Sequence, residues 1–298
     1  KWRPFQLAFQ LLALESLAVP ESSNRETLDL LWFPTGGGKT EAYLALASFE
    51  IALRRRRYMA SGYGTTVLMR YTLRLLTSQQ FERCATLISV LETMRKQRPE
   101  LCLGDDPISL GLWVGAQTTP NQLNNESEKF PGARQLFEER VLHDLKPENP
   151  FQLLKCPCCG TRIVPERHSP RNHYGLKVDQ YEFRMFCPDE NCELHEHIPV
   201  SVVDDDLYQR SPTILIGTID KFARMAWDAR SRVFLGMGTD NLPPSLVIQD
   251  ELHLITGPLG TIAGTYEAAI YTVIKRGGIE PKYLAATATI QRASEQST

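Results

Sequence analysis

The chain has 298 residues, 42% of them hydrophobic and 23% charged, and its 33 Lys and Arg nearly balance its 35 Asp and Glu. These values, together with short apolar runs and an N-terminus without a signal-peptide pattern, exclude membrane-spanning and secreted proteins and polybasic nucleic-acid binders. The length fits two domains or one large domain with an insertion, and we expect a cytoplasmic protein whose anionic partners favour the more basic first third.

The first third of the chain begins with an apolar helical pattern that ends at Pro20. Residues 28–32 are mostly apolar and predict a strand, and residues 41–57 have the spacing of a helix. Between them lies the sequence Phe33-Pro34-Thr35-Gly36-Gly37-Gly38-Lys39-Thr40. A strand, a glycine-rich turn and a helix in this order are typical of a phosphate-binding loop.

The glycine-rich turn carries residue types that bind a nucleotide. Its glycines can curl tightly and point N–H groups at phosphate oxygens, Lys39 adds a positive charge for the β and γ phosphates, and Thr40 offers a hydroxyl to Mg²⁺. Phe33 stands where the full eight-residue pattern begins with Gly, so a flexible turn without a ligand is the alternative. We predict ATP contacts at Thr35, Gly36, Gly37, Gly38, Lys39, Thr40 and Glu41.

Alternating strand and helix patterns continue along the chain. Apolar runs predict strands at residues 66–69, 109–114, 213–216, 246–248 and 283–286, and helical patterns cover 75–96, 220–229 and 259–275. This alternation predicts an α/β domain with a mainly parallel sheet.

We assign structural rather than ligand-binding roles to a run of arginines and to three tryptophans in these elements. The four arginines at 54–57 end a predicted helix, where we expect solvated cations at the negative end of the dipole rather than a DNA contact. The side chains of Trp32, Trp113 and Trp227 are expected in the core.

Two stretches interrupt the alternation. Residues 115–150 are polar with one helical piece at 133–145, and residues 151–203 hold a cysteine cluster with a C-x2-C and a C-x4-C pair. Four thiolates in two turns suit tetrahedral Zn²⁺. We predict a structural zinc ribbon, with a hairpin within 166–185, whose ligands are Cys156, Cys159, Cys187 and Cys192. Participation of Cys158, a three-cysteine set completed by His195, and no metal are the alternatives.

A second element of the nucleotide site lies far downstream of the glycine loop. The apolar run 246–248 leads through Gln249 into Asp250-Glu251-Leu252-His253. A strand that ends in paired acids can hold both beside a phosphate loop, with Asp250 on Mg²⁺ and Glu251 activating the water that attacks the γ-phosphate. We therefore predict ATP hydrolysis, with Lys39, Asp250 and Glu251 as the catalytic residues.

Together these motifs resemble the first motor lobe of superfamily 2 helicases. The phosphate loop resembles motif I, residues 250–253 the Asp-Glu-x-His motif II, and residues 287–289 motif III. Residues 71–76 and 216–220 resemble motifs Ia and Ib, which contact the nucleic-acid backbone in that family, and Arg3-Pro4-Phe5-Gln6 with Gln10 resembles its adenine-reading Q motif.

The resemblance assigns roles to further residues. Together with the strand-end position of two arginines, it implies nucleic-acid contacts at Arg70, Thr72, Arg74, Gly217 and Thr218. It also implies adenine contacts at Gln6 and Gln10, and coupling of hydrolysis to movement through His253, Thr287 and Thr289.

Four segments, residues 3–9, 34–42, 70–77 and 249–253, are similar to the helicase subunit of DISARM bacterial phage-defence systems. This resemblance implies an ATP-dependent motor in antiphage defence that acts on single- or double-stranded DNA, with RNA as the alternative. It also implies partner subunits of a defence complex, and the short apolar runs noted above exclude a membrane partner. The implied cofactors are ATP and Mg²⁺, beside the structural Zn²⁺.

The predicted fold is α/β, a RecA-like P-loop NTPase domain with a mainly parallel sheet and an inserted zinc-ribbon-like module. The lobe comprises residues 1–114 and 204–298, with a polar helical insertion at 115–150 and the zinc module at 151–203. Because the chain ends soon after motif III, we expect a second motor lobe to complete the site with an arginine finger, and little activity from this part alone.

Two other functions fit the same sequence. A double-strand DNA translocase or switch ATPase that never separates strands would carry the same motor motifs. A zinc-dependent docking module with a degenerate ATP site is the second alternative, and Phe33 is the residue that favours it.

Overall fold

A computed structural model describes residues 2–34, 37–71, 78–124, 130–255 and 257–288. The strands are β1 Asp29–Trp32, β2 Val67–Tyr71, β3 Leu110–Trp113, β4 Leu176–Val178, β5 Phe183–Met185, β6 Val200–Ser201, β7 Ile214–Thr218, β8 Leu246–Gln249 and β9 Lys282–Thr287. The α-helices are α1 Pro4–Ala18, α2 Lys39–Tyr58, α3 Ser78–Gln97, α4 Ala133–Gln135, α5 Asp204–Gln209, α6 Ile219–Arg224 and α7 Gly257–Arg276. A π-helical turn, Leu136–Val141, continues α4.

The chain divides into two compact units. The first comprises residues 1–75 and 217–298, the second comprises residues 76–216, and β7 spans the boundary between them. In this division residues 78–113 group with the two inserted stretches, whereas the domain boundaries given above stay a prediction.

The first unit contains a parallel sheet with the strand order β1-β9-β8-β2. Trp32 lies opposite Thr287, and Arg70 lies opposite Gln249, so the carboxyl ends of all four strands reach the same edge. Buried side chains such as Met69 and Ile248 fill the sheet interior. In parallel α/β sheets ligands bind beyond this edge, which places the loops after these strands at the expected site.

Local sequence explains how the two helices nearest this edge begin. Pro4 suits the first turn of α1, where the N–H of Arg3 donates to Oε1 of Gln6 at 2.8 Å. Gly38 adopts φ +91° immediately before α2, a backbone conformation that side-chain-bearing residues rarely tolerate. The apolar stripe of α2, including Leu46 and Ile51, is buried.

The second unit contains two pieces of sheet. Strands β7, β3 and β6 are neighbours in that order, and β3 and β6 are parallel with Leu110 opposite Val200. Strands β4 and β5 form a separate antiparallel hairpin with Lys177 opposite Arg184, which confirms the hairpin predicted within 166–185. The two-residue strand β6 was not predicted, because so short a strand has no readable alternation.

Two structural interpretations of the sequence are wrong in part. Trp113 is buried as expected, but Trp32 is 54% exposed on β1, at the end of the strand order, and Trp227 is 75% exposed. Arg56 and Arg57 are exposed as expected, but Arg54 and Arg55 are buried. The guanidinium of Arg54 is covered by the chain at Gly62 and residues 242–243, whose carbonyls accept its hydrogen bonds.

The structure confirms the predicted fold class, an α/β domain of the RecA-like type with a mainly parallel sheet, and a four-cysteine cluster lies in the second unit. The helices in the described ranges lack the combined length and apolar character that a bilayer crossing requires.

Candidate functional site

The glycine loop and the acidic pair follow strands of one parallel sheet. Lys39, the first residue of α2, is buried and donates from Nζ to the carbonyl oxygen of Phe33 at 2.9 Å. The N–H of Phe33 in turn donates to the carbonyl of Thr287 at 3.3 Å, which attaches the start of the loop to β9. Thr40 is buried in the first turn of α2, whereas Thr35 and Gly36 lie outside the described residues.

Helix α1 holds the glycine loop from one side. Nε2 of Gln6 donates to the carbonyl of Gly38 at 2.7 Å, and Nη1 of Arg3 donates to the carbonyl of Gly37 at 2.8 Å. The rings of Phe5 and Phe33 stack with their centroids 3.8 Å apart and an interplanar angle of 10°. A Cβ on Gly37 would lie 2.5 Å from the Phe33 ring, so the loop needs glycine there.

The two glutamines of the predicted adenine site have different surroundings. Both polar atoms of the Gln6 amide bond the backbone: Oε1 accepts from the N–H of Arg3, and Nε2 donates to the carbonyl of Gly38. Nε2 of Gln10 is buried and has no hydrogen-bond partner within the described residues. Glu41, the last of the predicted loop contacts, lies in the first turn of α2.

Asp250 lies directly after β8 and is only 2% exposed. Its Oδ2 accepts from Oη of Tyr43 at 2.8 Å, and its Oδ1 accepts from the N–H of Glu251 at 2.9 Å. Burial raises the pKa of Asp250, while these two hydrogen bonds and the charge of Lys39 act in the opposite direction. Tyr43 lies one helical turn after Lys39 on α2, so its hydrogen bond to Asp250 holds the acidic pair close to the start of that helix.

Glu251 has an unusual backbone. Its φ of +47° and ψ of 49° lie in the left-handed region, which is costly for a residue with a side chain and is found most often at functional positions. Its Oε2 lies 3.4 Å from Nδ1 of His253. The same Nδ1 lies 3.1 Å from Oγ1 of Thr287, so His253 contacts both the acidic pair and the end of β9. Thr289 lies outside the described residues.

The donor groups around this edge fit a Mg²⁺-nucleotide. The carboxylate of Asp250 and the hydroxyl of Thr40 are hard oxygen groups of the kind that Mg²⁺ prefers. The left-handed Gly38 leads into the N-terminus of α2, whose N–H groups and dipole favour an anion. The ammonium of Lys39 contacts one backbone carbonyl, a contact that a phosphate oxygen can replace.

The residues predicted to contact nucleic acid are only partly described. Nη1 of Arg70 forms an ion pair with Oε2 of Glu267 on α7, and burial lowers the pKa of Arg70 to about 10. Gly217 and Thr218 are buried at the end of β7. Thr72 and Arg74 lie outside the described residues. In this structure the guanidinium of Arg70 is therefore engaged with a carboxylate.

Four cysteines converge in the second unit. The sulfur atoms of Cys156, Cys159, Cys187 and Cys192 all lie within 4.8 Å of one another. The Sγ atoms of Cys156 and Cys192 are 3.7 Å apart, and those of Cys159 and Cys187 are 3.4 Å apart. Zn–S bonds of about 2.3 Å place the sulfurs of a tetrahedral site about 3.8 Å apart, so the cluster fits zinc.

The backbone turns around the cysteines also suit a metal site. The N–H of Gly160 donates to the carbonyl of Cys156 at 3.0 Å, and Gly160 has φ +77°. Burial raises the pKa of Cys156 to about 11; it also acts on Cys159, but hydrogen bonds from Thr161 lower that pKa to about 7. Bound Zn²⁺ would hold all four sulfurs as thiolates, since the thiolate is the metal ligand.

The two alternative ligands are not in the cluster. Cys158 is not one of the four cysteines whose sulfur atoms converge. Nδ1 of His195 lies 2.8 Å from the carbonyl of Cys187, a backbone contact rather than a position among the sulfurs.

Sequence reasoning did not assign a role to Tyr43 or Glu267. Tyr43 follows Lys39 by four residues, so the two occupy one face of α2, and a hydroxyl in an otherwise apolar stripe was the available signal. Burial and the neighbouring charge of Asp250 raise the pKa of Tyr43 well above its ordinary value. No sequence signal indicates the pairing of Glu267 with Arg70.

A parallel α/β sheet with a glycine loop after β1 and an Asp-Glu pair after β8 is typical of P-loop proteins. The chain is 40% identical over 344 residues to the DISARM protein DrmA of Bacillus paralicheniformis (strain ATCC 9945a / NCIMB 11709 / CD-2), a match that covers 99% of this chain and 29% of that protein. The chain is therefore related to DISARM DrmA, which confirms the predicted resemblance to a DISARM protein.

The other comparisons identify no family and find only distant structural similarity. No protein-family model matches the chain. The crystal structure of the DUF1998 helicase MrfA aligns with 99% of this chain and 28% of its own, at 10% identity and a TM-score of 0.42. The yeast DEAD-box splicing factor Prp28 aligns with 97% of this chain and 41% of its own, at 11% identity and a TM-score of 0.44.

Proposed function

We propose that this chain is the first motor lobe of an ATP-dependent helicase or translocase that acts on DNA in bacterial antiphage defence. ATP is hydrolysed between the glycine loop and the Asp-Glu-x-His segment at 250–253. The cysteine module contributes a structural Zn²⁺. The chain spans about 29% of the length of its relative DrmA, and in this proposal a second motor lobe completes the site.

The observation that carries the proposal is the hydrogen bond from Tyr43, one helical turn after Lys39 on α2, to Asp250 at the end of β8 in the parallel sheet. Asp250 and Glu251 lie more than 200 residues from Lys39 in the sequence. The fold nevertheless brings the start of α2 and the acidic pair together at one edge of the sheet. A phosphate-binding lysine beside one carboxylate for Mg²⁺ and a second for the attacking water is the set of groups that ATP hydrolysis at a P-loop uses.

Each residue has a distinct task in the proposed reaction. Lys39 neutralises charge on the phosphates, and the N–H groups at the start of α2 hold their oxygens. Bound Mg²⁺ supplies further charge neutralisation, with Asp250 and Thr40 as the residues that hold it. Glu251 orients the attacking water and accepts its proton. His253 contacts both Glu251 and Thr287, so it can transmit a change at the acid to the end of β9.

The assignment to defence and to DNA rests on the relationship with the DISARM protein DrmA and on the segments that resemble motifs Ia and Ib. In this proposal the ion pair of Arg70 with Glu267 opens when a phosphate of the nucleic acid replaces the carboxylate. Strand displacement and stimulation of ATPase by blunt duplex distinguish an unwinding motor from a translocase that never separates strands.

Two substitutions in the full-length protein test the proposal. Lys39→Ala should abolish binding of ATP, and Glu251→Gln should keep binding and lose hydrolysis. Equilibrium titration with a fluorescent ATP analogue and phosphate release in the presence of DNA measure the two effects. The exposed residues Lys146 and Glu148 provide matched controls as Lys146→Ala and Glu148→Gln. Wild-type turnover from Glu251→Gln, or unchanged ATP binding by Lys39→Ala, would overturn the proposal.

A further inference from the structure

Two buried tyrosines connect the end of β2 with the carboxylate of Asp250. Tyr43 lies on α2, one helical turn after Lys39, and Tyr71 is the last residue of β2. Each tyrosine is 1% exposed. Oη of Tyr43 lies 2.8 Å from Oδ2 of Asp250 and 3.2 Å from Oη of Tyr71. We call this chain of hydrogen bonds, Tyr71 to Tyr43 to Asp250, the tyrosine relay.

The chemistry of the groups fixes the direction of the tyrosine relay. An ionised carboxylate only accepts hydrogen bonds, so Tyr43 must donate its single hydroxyl proton to Asp250. That proton is then committed, and the hydroxyl of Tyr71 must donate to the oxygen of Tyr43. Hydrogen bonds in such a chain polarise one another, so Tyr71 strengthens the bond that Tyr43 makes to the carboxylate.

The rotation of the Asp250 carboxylate depends on this bond. The N–H of Asp250 and Nε2 of Gln249 both contact the carbonyl of Arg70, at 3.3 and 3.2 Å, which fixes the backbone. The last torsion of an aspartate side chain is broad, so the backbone does not determine the plane of its two oxygens. The backbone N–H of Glu251 donates to Oδ1 and the hydroxyl of Tyr43 donates to Oδ2, and these bonds orient the plane.

We propose that Tyr43 and Tyr71 are positioning residues for the ATP site: Tyr43 orients the carboxylate of Asp250 toward Mg²⁺, and Tyr71 acts through Tyr43. The inference rests on the proposed function, because Asp250 is the Mg²⁺ ligand of that proposal. Tyr71 is also the first residue of the segment 71–76 that resembles motif Ia. The tyrosine relay therefore joins the Mg²⁺-binding carboxylate to the start of a segment predicted to contact nucleic acid.

The test removes one hydroxyl at a time from the full-length protein. Tyr43→Phe, Tyr71→Phe and the double variant are titrated with a fluorescent ATP analogue at increasing Mg²⁺, and again in EDTA. Because the hydrogen bond to a carboxylate is a strong one, Tyr43→Phe should raise the Mg²⁺ concentration for half-maximal binding about ten-fold, and Tyr71→Phe about three-fold. Binding in EDTA should not change, since it does not involve the oriented carboxylate.

The double variant shows whether Tyr71 acts through Tyr43. If it does, Tyr43→Phe with Tyr71→Phe should need no more Mg²⁺ than Tyr43→Phe alone. Tyr174→Phe is the control, because Tyr174 is also 1% exposed and its hydroxyl has no hydrogen-bond partner in the described part of the chain. Melting temperatures establish that each variant folds. If Tyr43→Phe does not fold, the expected three-fold rise in the Mg²⁺ requirement of Tyr71→Phe tests the proposal instead.

Each outcome identifies which idea fails. Three results would overturn the positioning roles. They are wild-type Mg²⁺ dependence of binding in both tyrosine variants, equal losses of affinity for the ATP analogue with and without Mg²⁺, and additive effects in the double variant. If the wild-type protein binds the analogue and Lys39→Ala does not, such a result leaves the proposed function standing. A wild-type protein that binds no nucleotide overturns the proposed function and the tyrosine relay together.

Discussion

The side-chain amide of Gln6 donates to the carbonyl oxygen of Gly38 at 2.7 Å, so helix α1 holds the glycine loop at the residue immediately before α2. A Cβ on Gly38 would lie 2.7 Å from this same Nε2, and the φ of +91° excludes most other residues independently. Gln6 and Gly38 therefore form a contact that fixes the loop before any nucleotide arrives. Preorganisation of this kind lowers the entropy cost of binding.

Gln6→Ala should weaken nucleotide binding by releasing the loop. The loss of a hydrogen bond between uncharged groups corresponds to about three- to ten-fold in Kd for the ATP analogue. The control is Gln97→Ala, which removes an exposed amide in the other unit. Equal affinities of Gln6→Ala and the control would show that the contact with Gly38 does not organise the loop.

Arg54→Ala should destabilise the first unit strongly. The buried guanidinium of Arg54 donates to the carbonyls of Gly62, Leu242 and Pro243 at 2.6–3.0 Å. Its removal leaves these acceptors without their donor, and we expect a loss of about 3 kcal/mol or more in the free energy of unfolding. Urea unfolding monitors the change, with the exposed neighbour Arg56→Ala as the control, for which about 0.5 kcal/mol or less is expected. Similar values for both would contradict this structural role of Arg54.

Cys159→Ser should reduce zinc content, whereas Cys158→Ser should not. Cys159 is one of the four converging sulfurs, and Cys158 next to it is exposed and outside the cluster. Metal analysis of the purified full-length protein should give one zinc per chain for the wild type and for Cys158→Ser. Loss of zinc from Cys158→Ser together with its retention in Cys159→Ser would reverse the ligand assignment.

Glu92 should contribute pH-dependent stability to the second unit. Its carboxylate accepts from Arg95 at two positions and from the N–H of Ile108, each at 2.8 Å. Burial opposes ionisation, but these hydrogen bonds and the charge of Arg95 bring the pKa of Glu92 below its ordinary value. A lowered pKa in the folded state means stability that is present above the unfolded value of about 4.3 and disappears as pH falls through the folded value.

Glu92→Gln should therefore lower the free energy of unfolding by about 1–3 kcal/mol at pH 7. The difference from wild type should shrink as the pH falls below about 4. Urea unfolding at several pH values measures it, with the exposed Glu100→Gln as the control. A difference that stays constant across this range would exclude ionised Glu92 as the source of the stability.

Much of the fold could be predicted because its signals are local. The run at 246–248 predicted β8, and the helical spacing of 41–57 predicted α2, since buried parallel strands and amphipathic helices have distinct apolar periods. The short strand β6 has no such period and was missed. Trp32 and Arg54 were misjudged because the covering of a side chain depends on which distant segment lies over it.

The sequence by itself determined the chemical groups of this protein: a glycine loop with Lys39, an acidic pair with Glu251, and four cysteines in two spaced pairs. Residue type and spacing specify these groups, because metal and phosphate chemistry require particular atoms in short turns. Only the tertiary structure decided which groups meet, such as Tyr71 with Tyr43 and Arg70 with Glu267. Those contacts join residues far apart in the chain, and strand order and register, which no local pattern encodes, bring them within hydrogen-bonding distance.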